Sequence, residues 1–524
     1  MFVRKKRAGK HVYLQVVENH WEAGRPRQYV IGTLGRLDRL LASGHLDGVI
    51  QSLAGFSAKL KVRQAYEAGD LMAGAVRRVG PALVFDRLWR RLGVGEVLKR
   101  RLRGRRYRFA VERAIYLTVL SRLFFPGSDR RAQRRKRDYR IEAVEGVQLH
   151  QLYRAMAWLG EVREEVEEAL FARNRSLFSD LNLVFFDTTS LYFEGAGGES
   201  LGQYGYSKDH RPDEKQVVVG VTLDSGGRPI SCPIWPGNTA DVRTLRPVVK
   251  RLRDQFGVQG LVIVADRGMI SEESVKELAG DGVGYILGVR MRNCREVRQM
   301  LVLEADHDQG YLTVSPNLQV REVTQAGKRY IICFNPEQAV RDEQVRQTLA
   351  ESLRQRLKRG GRQLIGNKGY RRCLRVKPDG IELDEGKLRE EAHFDGKYVL
   401  VTNTNLTMAE VALRYKELWQ VERVFRTVKS VVETRPVYHR CDETIMGHIF
   451  CSFLALELMK ELMGKLEDKL EWDEIRQDLE AVYEVEVEQA GKKYLLRSRL
   501  EGESGQILAA VGVAPPPAVR AMKT

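Results

Sequence analysis

Two short apolar runs, each closed by an aspartate, constrain this 524-residue chain more than any other feature. They are Leu183-Val184-Phe185-Phe186-Asp187 and Leu261-Val262-Ile263-Val264-Ala265-Asp266. Runs of this length and composition read as buried strands, and a carboxylate at a strand end stands at the rim of a sheet, where sites form. A third carboxylate, Glu422, lies in an amphipathic helical stretch from Tyr415 to Lys429 with Lys416, Arg423, Arg426 and Lys429 around it. Three converging carboxylates without a Cys or His cluster suit oxygen-ligated ions such as Mg²⁺. Paired ions of that kind suit phosphodiester chemistry.

Charge divides the chain. The whole carries +18, but residues 1–140 hold 33 Lys and Arg against 11 Asp and Glu, an excess of 22. The remainder is slightly acidic, with 54 basic and 58 acidic residues. A basic first part on a near-neutral remainder predicts a polyanion-binding module beside a separate domain. Arg-dense stretches at 100–108 and 130–137 suit phosphate contact, since guanidinium presents a planar fork of donors. The six cysteines show no metal-finger spacing and read as free thiols of a reducing compartment. The start lacks the apolar core of a signal peptide, and the longest apolar stretch, Ile445 to Met459, is too short to span a bilayer. These features lead to the expectation of a cytoplasmic protein, nucleoid-associated when bound to DNA, with no membrane partner.

Strand and helix signals then set an order. A hairpin over 11–34 and helices to about 175 form the basic N-terminal region. Strands at 183–187, 216–223 and 228–235, with Asp224-Ser225-Gly226-Gly227 as the turn, precede a helix from 238, the strand 261–265, a helix and the strand 285–289. Three antiparallel strands followed by two more with a helix between match a ribonuclease-H-like core. Residues 291–394 read as a mostly β insertion, after which 397–403 returns to the core and Thr407-Met408-Ala409-Glu410 caps the Glu422 helix. The expected fold class is thus α/β, with a ribonuclease-H-like core over 176–290 and 395–465. The basic region spans 1–175, and a helical C-terminal part spans 466–524. The Gly-rich stretch 194–198 reads as a flexible connection, Asp241 as a helix N-cap in preference to a fourth carboxylate, and His439 and His448 as structural histidines.

Tyr415, Glu422 and Lys429 are spaced seven apart, which places them on one face of a continuous helix, with Arg426 four residues beyond Glu422. An exposed helix with a Glu422–Arg426 pair is the plainer alternative. Tyr415-x2-Leu418-x3-Glu422-x6-Lys429 resembles the Y-x2-R-x3-E-x6-K signature of bacterial insertion-sequence DDE transposases of the IS-four group. Asp187 with Thr188-Thr189-Ser190, and Asp266 with Arg267-Gly268, resemble that group's two Asp motifs, and the long segment before Glu422 resembles its β-rich insertion. One departure stands out: Leu418 occupies the signature's Arg position. The resemblance implies that Asp187, Asp266 and Glu422 bind two Mg²⁺ or Mn²⁺ ions for cleavage and strand transfer. It implies that Tyr415 and Lys429 hold a DNA end, with Arg426, Arg267, Lys208 and Arg211 as further candidate contacts. The implied partners are double-stranded DNA, both the element's terminal inverted repeats and its target, and a second copy of the chain. A nuclease of the same core without strand transfer, or an inactive DNA-binding relic, are the rival readings.

Overall fold

A computed structural model describes residues 1–22, 25–54, 56–57, 63, 65–178, 181–269, 271–303, 310–358, 368–371, 373–377, 380–489 and 491–522. The chain divides into two compact units, one of residues 1–77, 483–499 and 516–524, the other of residues 78–482 and 500–515. In the smaller unit, β1 (Phe2–Ala8), β2 (His11–Glu22) and β3 (Arg25–Arg36) form an antiparallel sheet. β4 (Leu71–Arg78) forms a second sheet with strands from the far end of the chain. The expected hairpin is thus present, while β1 and β4 escaped the sequence pattern because their residues are mostly exposed and lack an apolar face.

The larger unit is built on one sheet. Its strands are β5 (Leu183–Tyr192), β6 (Gln216–Leu223), β7 (Pro229–Ser231), β8 (Ile234–Pro236), β9 (Val262–Ala265), β10 (Gly284–Gly288), β11 (Leu312–Ser315), β12 (Leu318–Gln325), β13 (Lys328–Phe334) and β16 (Lys397–Thr402). The spatial order is β11-β12-β13-β16-β10-β9-β5-β6-β7, with β8 also on β6. β5, β9 and β10 run parallel; β5–β6 and β10–β16 are antiparallel. Strand alternation explains why the runs around Asp187 and Asp266 are apolar throughout. Val184, Phe186, Ile263 and Ala265 face helices Leu245–Asp254, Glu272–Gly280 and Arg295–Leu303. Leu183, Phe185 and Val264 face helices Met408–Lys416 and Trp419–Arg426.

The expected insertion is only partly a separate element. β11, β12 and β13 extend the central sheet through β13–β16 pairing, because β13 carries a buried run, Tyr330 to Cys333, that needs a neighbour. The helix Pro336–Leu357, the hairpin of β14 (Leu374–Lys377) and β15 (Gly380–Leu383), and the helix Glu385–Ala392 share a small core of their own around Leu353, Leu374 and Leu388.

The N-terminal boundary also differs from the expectation at 175. Residues 78–175 belong to the larger unit, because their helices share one apolar core with Asp442–Lys465. Helices Leu149–Arg173 and Asp442–Lys465 cross at two glycines: a Cβ on Gly160 would overlap the Glu443 carbonyl, and one on Gly447 the Met156 carbonyl. The basic excess moves with this boundary. Residues 1–77 hold 13 basic and 6 acidic residues, whereas 78–140 hold 20 and 5. Part of that charge is internal: Arg101 pairs with Glu165 at 2.5 Å and Arg105 with Glu161 at 3.8 Å, and the Lys136 ammonium donates to three carbonyls. Arg100, Arg103, Arg106 and Arg108 are exposed, and no ion pair engages them among the described residues.

At the other end of the chain, β17 (Tyr483–Gln489), β18 (Lys492–Arg497) and β19 (Val519–Ala521) complete the β19-β18-β17-β4 sheet of the smaller unit. The C-terminal part, expected to be helical, is shared between the two units and includes the β17–β18 hairpin. The six cysteines form no disulfide among the described residues. Among the described residues no helix is long and apolar enough to cross a membrane.

Candidate active site

The register of β5 and β9 pairs Phe185 with Val264 and Phe186 with Ala265, so Asp187 and Asp266 are the next neighbours at adjacent strand ends. The pleat points both toward the face covered by the Tyr415 and Glu422 helices. Tyr415 closes that corner. Its hydroxyl donates to Asp266 Oδ1 at 3.0 Å, and its ring stacks on Tyr398 with centroids 5.9 Å apart. Burial, reinforced by the Asp266 carboxylate, raises the phenol's pKa above its ordinary value, so it stays a donor.

Gly288, at the end of β10, makes the Tyr415 contact possible, since a Cβ there would overlap the hydroxyl. Gly288→Ala should therefore push Tyr415 off Asp266 and lower cleavage roughly tenfold, the scale of a lost supporting hydrogen bond. A cleavage assay beside a melting curve checks this; full activity would show the contact to be dispensable.

Asp187 is half-buried. Its Oδ1 accepts from the Thr188 amide at 2.7 Å and lies 3.7 Å from the Lys208 ammonium. Burial pushes its pKa up to about 6; Lys208 and the Thr188 amide oppose this, while Asp266 and Asp241 add to it. Asp241 is the residue the sequence undervalued. Its side chain caps no helix: Ala240 and Thr244 hold the N-cap positions of the two short helices there. Instead Asp241 Oδ1 accepts from Thr188 Oγ1 at 2.7 Å, and Oδ2 stands 3.2 Å from Lys208 Nζ. Only the folded crossing of β5, the 207–211 loop and the 241 turn brings these residues together, and no local pattern announces that.

The Glu422 helix is not continuous. It runs as Met408–Lys416 and Trp419–Arg426, then as a π-helical turn over Thr427–Val431. The changed winding rotates the seven-residue spacing off a single stripe. Tyr415 points at Asp266, and Lys429 reaches back to the buried Asp209 at 2.7 Å, a carboxylate it shares with Arg435 at 2.6 Å. Glu422 is exposed and forms no ion pair or hydrogen bond among the described residues, Arg426 included. Val421, Val424 and Phe425 are the buried face, while Trp419 is 53% exposed.

Arg267 is exposed beside Asp266. Arg211 is drawn inward, pairing with Glu214 at 3.0 Å and lying over the Tyr192 ring. Both histidines are structural, as expected: His448 is buried with Nδ1 2.8 Å from Arg122 and Nε2 2.9 Å from the Thr434 carbonyl, and His439 lies against it. The Gly-rich stretch is followed by a tightly pinned loop, because Asp442 accepts from the Glu199 and Ser200 amides and from the Ser200 hydroxyl.

Leu418 packs against the apolar cluster of Phe185, Val411 and Val421. An arginine there must desolvate or displace that packing, so Leu418→Arg is expected to cost ~1–3 kcal/mol of stability and not to tighten the hold on DNA. Denaturation and end-binding measured on one preparation decide this; undiminished stability with tighter binding would restore a phosphate role to the position.

The donors fit a hard divalent cation. No hydrogen bond engages Asp187 Oδ2 or Asp266 Oδ2 among the described residues, and both are carboxylate oxygens at adjacent strand ends. No three His, Cys, Asp or Glu side chains among the described residues stand together as a complete ion cage, and Glu422 on its exposed helix face is not gathered with the pair. Residues 179–458 match the family model described as Transposase DDE domain. Residues 2–65 match the one described as IS1634 family transposase, N-terminal domain. No curated protein matches the chain. With over half of its length in the first match and its start in the second, the chain belongs to the DDE transposases and is the transposase of an insertion sequence.

Proposed function

We propose that Asp187, Asp266 and Glu422 form the catalytic site with which this transposase cuts and joins the terminal inverted repeats of its element. The observation that carries the reading is the pairing of Asp187 and Asp266 at neighbouring parallel strand ends inside the DDE match. The family uses divalent metal, typically Mg²⁺, and acts on DNA. Two Mg²⁺ or Mn²⁺ ions would supply the Lewis acidity for both the attacking and the leaving oxygen. Asp187 and Asp266 would hold them, Tyr415 would fix the Asp266 carboxylate, and Glu422 would close the site from the covering helix when DNA is bound.

The antiparallel β7/β8-β6-β5 block continued by parallel β9 and β10 supports reading the core as ribonuclease-H-like. The spacing of Tyr415, Glu422 and Lys429 favours the catalytic plan of the IS-four group, joined here to an N-terminal part of IS1634 kind. Of the candidate cations, Arg426, Arg267 and Lys208 would meet DNA phosphate as they stand, Lys429 and Arg211 would first have to leave Asp209 and Glu214, and two copies would pair two element ends. The domain reading assigns end recognition to the smaller unit together with the basic helices of 78–140. The test is a joining assay with the element's own ends in Mg²⁺. Linked 3′ ends are expected; cleavage without joining would make the chain a nuclease, and binding without cleavage a relic.

A further inference from the structure

Asp241 stands among the carboxylates without being free to serve as one of them. Both its oxygens are engaged, Oδ1 by the Thr188 hydroxyl at 2.7 Å and Oδ2 by the Lys208 ammonium at 3.2 Å. The Thr188 hydroxyl gives its proton to Asp241 and accepts from Lys208 Nζ at 2.9 Å, while the Thr188 carbonyl accepts a second Lys208 proton at 2.8 Å. The third N–H makes no hydrogen bond among the described residues and, beside the two carboxylates at 3.2 Å and 3.7 Å, is left for an incoming phosphate. Lys208 is fixed from behind as well: its amide donates to Ser190 Oγ at 2.8 Å, and the next residue, Asp209, is clasped by Lys429 and Arg435. A free lysine side chain samples many rotamers. Here that freedom is removed by the Thr188 hydroxyl, the Thr188 carbonyl and Asp241, and the ammonium is set 3.7 Å from Asp187 Oδ1 with 28% of its side chain open.

We propose that Asp241 is a positioning residue of the DNA-cleaving site, holding the Lys208 ammonium beside Asp187 so that it meets the DNA phosphate brought to the Asp187–Asp266 pair. The inference rests on the catalytic reading above and adds a role for a carboxylate outside its trio. A phosphodiester arriving at two aspartates needs positive charge that stays in place while the bond changes. A lysine already held by neutral and anionic acceptors supplies it with little reorganisation. Asp241 then acts through Lys208 and not on the ions.

The test uses the full chain as wild type, Asp241→Asn, Lys208→Ala, the double variant and Asp187→Asn, each checked by melting temperature. Mn²⁺ binding is followed by electron paramagnetic resonance, element-end affinity against salt, and cleavage at saturating DNA. Lys208→Ala should lower end affinity several-fold and reduce the salt slope by about one, the signature of one lost phosphate contact. Asp241→Asn should cut cleavage at least ~10-fold with Mn²⁺ affinity changed by less than ~3-fold, the scale of a lost supporting partner. The double variant should be no slower than Lys208→Ala, as expected of two residues acting through one contact. A tenfold or larger loss of Mn²⁺ affinity in Asp241→Asn would make Asp241 a metal ligand and overturn the proposal. Additive losses, or undiminished cleavage, would overturn it equally. Should Asp241→Asn not fold, Lys208→Arg decides: partial rescue of the Lys208→Ala defect supports the placed cation, and no rescue rejects it. Asp187→Asn tests the underlying reading separately, because unaltered Mn²⁺ binding there would remove Asp187 from the metal site whatever Asp241 does.

Discussion

Asp187→Ala and Asp266→Ala should each lower end cleavage by ~10³-fold or more, equal to about 4 kcal/mol of lost transition-state stabilisation. End binding should stay within about threefold, because the proposed phosphate contacts are made by cations and not by the carboxylates. Cleavage of labelled element ends in Mg²⁺, beside a binding titration, measures both. Undiminished cleavage by either variant would exclude that residue. Glu422→Ala is the informative third member. Glu422 is exposed and unpaired among the described residues, so its removal should change stability by no more than ~0.5 kcal/mol. A loss of cleavage as deep as that of the aspartate variants would then show that Glu422 joins the pair in the DNA complex. Near-normal cleavage would leave the site with two carboxylates and an unidentified third group.

The largest stability effect is expected far from the chemistry, at Gly447. The backbones of Leu149–Arg173 and Asp442–Lys465 touch at Gly447 and Gly160, with no room for a Cβ on either. Gly447→Val has to separate two buried helices whose side chains fill one core, and should destabilise the larger unit by about 3 kcal/mol or more. Gly464 on the same helix faces open space. Gly464→Ala should accordingly be neutral or stabilising by ~0.5–1 kcal/mol. Urea midpoints of the two variants check the contrast, and equal midpoints would mean that the crossing relaxes without cost.

The sequence made legible whatever depends on local periodicity. The two Asp strands, the hairpin signal at Asp224–Gly227 and the Thr407 capping box are all where their patterns predict them. Tertiary partners were not legible. The 78–175 helices carry Arg clusters like a separate DNA-binding module, yet their apolar faces are completed by the helix Asp442–Lys465, some 300 positions away. Asp241 shows why site residues are missed: Asn-Thr-Ala-Asp before a helix is a good capping signal, and only the fold reveals that Thr188 and Lys208 claim the side chain. The Glu422 helix errs for the opposite reason. Seven-residue spacing assumes uniform winding, and the interruption at 417–418 followed by the π-turn breaks that assumption.

The sheet that joins β4 to β17, β18 and β19 ties the two ends of the chain into one unit. On the ribosome this imposes an order of events. The first 77 residues emerge early but must wait for residues 483–497 before their second sheet can close, so the pairing of greatest sequence separation comes last. A chain stopped short of that hairpin would carry both aspartates and Glu422 yet an open smaller unit. Closure of the smaller unit thus depends on residues made after all three proposed catalytic carboxylates.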